Sequence, residues 1–297
     1  MKLAYLILVH KNPRLLERAI RTLSIEDSAF FIHVDKKTSI QPFSGLAGDN
    51  VFLHEPRLSV CWGEFSQVEA TIRLISKALG STVKYDYFTF LQGSDYPLRS
   101  AHYIRKFLEE HRGSEFMNLL KIPGPGYPLS KINTLRYSSD LPIRRFFSRG
   151  LAALGYQRNY MNSLKGLDAY AGQAYWTLSR EACEYILEFD ARSPHIKQYF
   201  KDAFTSDEMY FHTILGNSPL KNRIRRSIAF VDPNWSITGD LRHMVKIEHI
   251  KYFESQQRTW TSDEWGAGEV LFARKFSDDT LDLIDRIDAM IRQKGND

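Results

Sequence analysis

The carboxylate best placed for chemistry is Glu208, in the run Thr205-Ser206-Asp207-Glu208. Ser206 reads as the N-cap of a helix over about 207–215, closed by Gly216, so Glu208 falls in the first turn. A helix N-terminus favours the ionised carboxylate, the form a general base requires. The same position suits an acid that only stabilises its helix, and both readings stand. Asp35 follows an apolar run, where aspartates of α/β sheets often meet a ribose or a base. His10 and Asp95 follow two other apolar runs in the same way. Arg274-Lys275 reads either as a solvated cationic face or as an anion ligand. Trp62 and Trp235 read as packing residues or as platforms for a ring.

These residues need a frame. Residues 2–9, 30–34 and 85–91 are short apolar runs of the kind that form buried strands. Asn12-Pro13 opens a helix over 13–23 as N-cap and first helical residue, with Leu15, Leu16, Ala19, Ile20 and Leu23 at helical spacing. A second helix spans about 64–79 and stops at Gly80. Strands alternating with helices predict a mostly parallel sheet with helices on both faces, and ligands bind at the carboxyl ends of such strands. His10-Lys11, Asp35-Lys36 and Gly93-Ser94-Asp95 stand there. In the second half, strands are expected near 174–178 and 227–231. Helices are expected over 180–188, where Ser179 is the cap, and over 278–292. The least regular stretch, 113–167, reads as an active-site loop region.

Other machinery is excluded. The chain has no GxxxxGK[ST] or GxGxxG phosphate loop, no GxSxG elbow and no HExxH. Two cysteines provide neither a disulfide framework nor a four-cysteine zinc site. No two aspartates are separated by one residue, so the Asp-x-Asp pair that holds a divalent ion in many nucleotide-sugar transferases is missing. The nearest acidic pair, Glu188-Phe189-Asp190, is expected at a solvent-facing helix end. A diphosphate would then be neutralised by Arg or Lys. The net charge of +5 and pI near 9.0 favour acidic partners. Seven cations against Asp140 alone fall within 131–165, interleaved with Phe146, Phe147, Leu151, Leu154, Tyr156 and Tyr160. That pattern suits an anionic membrane surface presenting a lipid-linked saccharide, or a solvated loop beside an acceptor cleft. No nucleic-acid-binding motif supports a nucleic-acid partner. No apolar run reaches the roughly 18–20 residues of a membrane span, and the expected setting is cytoplasmic.

Seven segments, in order, carry a resemblance. They are residues 4–21 (AYLILVHKNPRLLERAIR), 31–37 (FIHVDKK), 60–70 (VCWGEFSQVEA), 85–99 (YDYFTFLQGSDYPLR), 172–181 (GQAYWTLSRE), 206–215 (SDEMYFHTIL) and 266–276 (GAGEVLFARKF). Together they resemble the core-2/I-branching β-1,6-N-acetylglucosaminyltransferases and the related peptide O-xylosyltransferases. The resemblance implies one GT-A-type, Rossmann-like domain over 1–297, with a nucleotide-binding half (1–112) and an acceptor-binding, catalytic half (113–297). It implies an inverting transfer from a UDP-sugar, with N-acetylglucosamine first and xylose second, to a hydroxyl of a saccharide or glycoconjugate, and no divalent metal or other cofactor.

By the same resemblance, Glu208 is the catalytic base, although Ser206 replaces the family's usual proline. Lys275 neutralises the donor diphosphate. Arg258 is the second cation, at a shorter spacing to Lys275 than is usual. Asp35 and His10 line the nucleotide pocket, and Asp95 and Trp235 lie toward the acceptor. The animal members' membrane anchor, stem and many cysteines have no counterpart in this sequence, which points to a bacterial relative. The alternative is a catalytically silent sugar- or nucleotide-binding protein of the same fold.

Overall fold

Strand β1 (Leu3–Val9) is buried at all seven positions, as a strand covered on both faces must be. In the computed structural model, which describes residues 1–135, 146, 150–151, 153–231 and 244–295, β1 lies between two parallel neighbours. These are β2 (Ser28–Val34) and β4 (Tyr87–Gln92), and β2 pairs in parallel with β3 (Val51–Leu53). Beyond β4 comes the antiparallel β9 (Trp176–Ser179), then β6 (Glu115–Met117) antiparallel to β9, then the edge strand β10 (Ile224–Arg225) parallel to β6. The order is β10-β6-β9-β4-β1-β2-β3. The protein is therefore of the α/β class, with a mostly parallel sheet, and β9 carries that sheet across the boundary at residue 112.

Alternation along the strands builds two cores. Ala4, Leu6, Leu8, Phe31, Phe88 and Phe90 face one way, against helices Phe65–Leu79, Arg180–Arg192 and Tyr210–Gly216. Leu3, Tyr5, Ile7, Val9, Phe30, Ile32 and Leu91 face the other, against helices Pro13–Leu23 and Ala101–Glu110. Each such fully buried side chain is worth about 1.5–3 kcal/mol. A second sheet joins β11 (Ala229–Val231), β14 (Phe272–Arg274) and β5 (Asp95–Pro97), with β14 parallel to β11 and antiparallel to β5. Tyr96, Phe230 and Ala273 pack there against helices Ile247–Ser255 and Leu281–Lys294. Two antiparallel pairs complete the strands: β7 (Leu120–Lys121) with the distant β8 (Tyr170–Ala171), and the hairpin of β12 (Trp260–Asp263) with β13 (Gly266–Glu269).

Several local expectations change. Asn12 does precede the helix at Pro13, but at φ 61° it caps no N–H. Its amide donates instead toward Gly93 and Ser94, tying β1 to the end of β4. Ser206 is not a helix cap: its hydroxyl donates to the Ala203 carbonyl, and Ser206–Glu208 is a single 3₁₀ turn. The α-helix starts only at Tyr210. Ser179, by contrast, does accept the Ala182 N–H as an N-cap. The stretch 113–167 contains β6, β7 and the helices Ser130–Asn133 and Tyr160–Leu164. Asp190 does not face solvent freely, since it accepts from Tyr210 and Lys197. Among the described residues, no helix is long and apolar enough to cross a membrane.

Candidate functional site

The carboxyl ends of β1, β2 and β4 enclose a cavity of about 340 Å³, lined by His10, Lys11, Asp35, Lys37, Trp62, Gly93 and Ser94 among others. Gly93 is required there, because a Cβ would stand 2.4 Å from the Val9 side chain. Asp35 is buried, and its Oδ1 accepts the N–H groups of Lys37 at 2.9 Å and Val60 at 3.4 Å. Its position is thus fixed by backbone. His10 is at the mouth. Desolvation, then Lys11, Lys37 and Lys275, hold its imidazole below the ordinary value against the pull of Asp35. The cationic surround therefore favours the neutral ring.

Lys275 follows β14, where the Phe276 N–H donates to the Ser94 carbonyl and so holds the residue against the cavity edge. Burial, then Arg274 and Lys11, lower its ammonium pKa, while Asp95 opposes them. Its neighbour Arg274 is buried rather than part of a solvated face. Arg274 donates to Gln92 Oε1 at 3.0 Å, lies 3.4 Å from Asp95 Oδ1 and sits 3.8 Å over the Tyr175 ring. Asp95 is turned inward: its Oδ2 takes the Gln92 N–H at 2.8 Å, and burial raises its pKa against the influence of Arg274.

Glu208 lies in the acidic 3₁₀ turn Ser206–Glu208. Burial raises the Tyr175 hydroxyl, with Arg274 opposing and Asp95, Asp207 and Glu208 adding to the rise. That one phenol therefore feels both the buried ion pair and the acidic turn. Glu208 is half-buried and accepts from Lys131 Nζ at 3.1 Å. Lys131 in turn lies 4.5 Å over the Tyr127 ring. The 3₁₀ turn is held from two sides. The Gly172 N–H donates to the Glu208 carbonyl at 2.9 Å, and the Thr205 N–H, at φ 56°, donates to Gly63 at 2.7 Å. Gly172 has no room for a side chain, since a Cβ would meet the Asn118 carbonyl at 1.9 Å. Burial raises the pKa of both carboxyls. Glu208 pushes Asp207 further up, to about 7, and Lys131 favours the ionised form of each.

The structure thus brings His10 and Asp35 to one cavity, holds Lys275 near its edge through the Phe276–Ser94 hydrogen bond, and sets Glu208 apart in the acidic turn with Asp207. Arg258 is not brought to them. It is exposed, its influence falls on Tyr103, and the following Thr259 carbonyl accepts the Val270 N–H, at the opposite end of β14 from Lys275. Trp235 lies outside the described residues. Four residues were not singled out from sequence: Lys131, Tyr175, Asp207 and Arg274. In sequence, Lys131 is one of the seven cations of 131–165, and Arg274 reads with Lys275 as a solvated face or an anion ligand. Only the adjacency of Asp207 to Glu208 carried a local signal. Among the described residues, no three His, Cys, Asp or Glu side chains gather into a metal-binding group.

A mostly parallel α/β sheet with a cationic cavity at its carboxyl edge defines the class. Residues 3–257 match the family model of the Core-2/I-Branching enzyme, and the chain belongs to that family. It is 27 % identical over 246 residues to a mouse N-acetyllactosaminide β-1,6-N-acetylglucosaminyl-transferase, covering 81 % of this chain and 57 % of the relative. It is 26 % identical over 250 residues to rat xylosyltransferase 1, covering 80 % of this chain and 28 % of the relative. A human protein named probable β-1,3-galactosyl-O-glycosyl-glycoprotein β-1,6-N-acetylglucosaminyltransferase 7 is 25 % identical over 304 residues, with 95 % and 66 % covered. The chain thus spans from about a quarter to two thirds of the length of these relatives.

The acidic turn sets a pH dependence of stability. A carboxyl raised on folding binds more protons in the native state, so stability falls as pH rises from the ordinary aspartate value of 3.8 to about 7. Asp207→Asn removes that loss. Urea unfolding should show the variant gaining on the parent at pH 8 but not at pH 4. An equal difference at both pH values would contradict the burial of this carboxyl.

Proposed function

We propose that the chain is an inverting glycosyltransferase of the GT-A type. It would move a sugar from a UDP-sugar to a hydroxyl of a saccharide or glycoconjugate, without a divalent ion. The observation that carries this reading is Glu208, a half-buried carboxylate paired with Lys131, whose charge acts on the same Tyr175 phenol as the Arg274–Asp95 pair, while Gln92, the partner of Arg274, lines the cationic cavity. N-acetylglucosamine is the first choice of sugar and xylose the second, after the names of the relatives.

In this reaction Glu208 takes the acceptor's hydroxyl proton as the oxygen bonds to the anomeric carbon. The bond from that carbon to the diphosphate oxygen breaks on the opposite face, and its electron pair leaves with UDP. Asp35 and His10 hold the nucleotide side. Lys275 meets the growing charge on the diphosphate, and Lys11, whose charge acts on both His10 and Lys275, is the second cation in place of Arg258. Lys131 favours the ionised form of Glu208 against burial and orients it. General-base catalysis is worth about 10²–10⁴-fold. Glu208→Gln should therefore lower transfer by at least about a hundredfold and leave UDP binding unchanged. Near-normal transfer by that variant would remove Glu208 as the base, and a parent that binds UDP-sugars without turnover would be the silent binding protein.

A second part of the proposal concerns residues 131–165. Phe146 and Leu154 are 81 % and 84 % exposed, and Met161 is 66 % exposed. Two of the cations counted in this stretch are turned inward: Lys131 to Glu208, and Arg158, 3.6 Å over the Tyr199 ring. Arg136, Arg144, Arg145 and Arg149, with Asp140 and Phe147, lie outside the described residues. We propose peripheral contact of this stretch with an anionic membrane, where a lipid-linked saccharide would be presented. Co-sedimentation should rise with the phosphatidylserine content of the vesicles. Sedimentation independent of anionic lipid would leave a solvated loop beside the acceptor.

A further inference from the structure

A groove of about 570 Å³ runs along the other rim of the main sheet, outside the donor cavity. Its floor is apolar, with Phe116 and Ile228, and its outer wall is the β12–β13 hairpin, which contributes Trp260 and Trp265. Trp260 is 52 % exposed. Trp265 meets the Tyr127 ring edge-on at 5.9 Å, and Tyr127 lies under Lys131, the partner of Glu208. One end of the groove is therefore linked to the proposed base through Tyr127 and Lys131.

Charge in the groove is one-sided. Its lining carboxylate, Glu269, is consumed by Tyr103 at 2.9 Å and by Arg99 at 3.2 Å. Arg226 is neutralised by Asp263 at 2.7 Å. Lys221 and Arg225 are exposed and have no carboxylate partner among the described residues; Lys221 donates to the Tyr170 hydroxyl at 2.6 Å, and Arg225 donates to the Asn222 and Ile224 carbonyls at 2.9 Å. We infer that this groove binds the non-reacting portion of an acidic oligosaccharide acceptor, with its ring faces on Trp260 and Trp265 and its carboxylate or phosphate groups at Lys221 and Arg225. Flat apolar sugar faces suit indole rings, and the anionic groups suit paired cationic donors. The inference deepens the proposed transfer by naming its acceptor class.

Calorimetric titration of the full chain tests it without turnover, using an oligogalacturonate (carboxylate), a phosphorylated mannan fragment (phosphate) and a neutral maltooligosaccharide. At least one acidic probe should bind about tenfold or more tightly than the neutral one, and the tighter of the two identifies the anionic group. Trp260→Ala and Arg225→Glu should each weaken that probe about tenfold, a loss of about 1.4 kcal/mol. Lys84→Glu, at the amino end of β4, should not. Equal affinity for neutral and acidic probes, no saturable binding of any, binding of an acidic peptide in their place, or equal losses from Arg225→Glu and Lys84→Glu would overturn the inference. A UDP-induced thermal shift on the same preparations reads the donor pocket separately. Saccharide binding without that shift supports the groove while removing the transferase reading. The shift without saccharide binding overturns the groove alone.

Discussion

One buried guanidinium holds the site together. Arg274 bonds the last residue of β4 through Gln92, faces Asp95 at the start of β5 and stacks on Tyr175. It thereby pins the second sheet to the first at the carboxyl edge, where the donor cavity opens. Breaking a buried pair of this kind by removing one partner costs about 3–5 kcal/mol, because the other charge stays buried. Lys275 is the next residue, so the charge proposed to meet a diphosphate inherits its position from an interaction that touches no ligand. The same contact fixes Tyr175, whose hydroxyl also feels the charges of Asp207 and Glu208.

Two electrostatic environments make up the proposed centre. On the donor side, Lys11, Lys37 and Lys275 crowd the cavity and depress His10, an arrangement that a bound dianion would relieve. On the acidic side, burial raises Asp207 and Glu208 and Lys131 opposes the rise. A general base whose pKa lies above the ordinary glutamate value is better matched to an alcohol's proton than an exposed glutamate, which suits the role proposed for Glu208. Pre-set fields of this sort need no reorganisation during reaction, which is the main physical argument for reading the two clusters as one active centre.

The sequence revealed most where a local rule had no competitor. Pro13 at the first helical position and five apolar residues at helical spacing delimit Pro13–Leu23, and all five are buried. Continuous apolar runs located β1, β2 and β4, and with them the positions of His10 and Asp35 at the cavity. Ser206 failed as a cap because the Ala203 carbonyl competes for its hydroxyl and the backbone closes a 3₁₀ turn instead. Strands β3, β6 and β10 are two or three residues long, too short for any period to register. Arg274 and Lys275 look alike in sequence, and only pairing across β14 and β5 sends one inward. The partnership of Lys131 with Glu208 spans 77 residues, a separation that no local pattern encodes.

The claim that protein cations receive the donor diphosphate is tested most directly by titrating UDP-N-acetylglucosamine and UDP-xylose into the protein in EDTA, for the parent and for Lys275→Ala. The account predicts saturable binding of at least one donor in EDTA, and a loss of about tenfold or more in the variant. Binding that appears only on adding Mn²⁺, or that Lys275→Ala leaves unchanged, would contradict it.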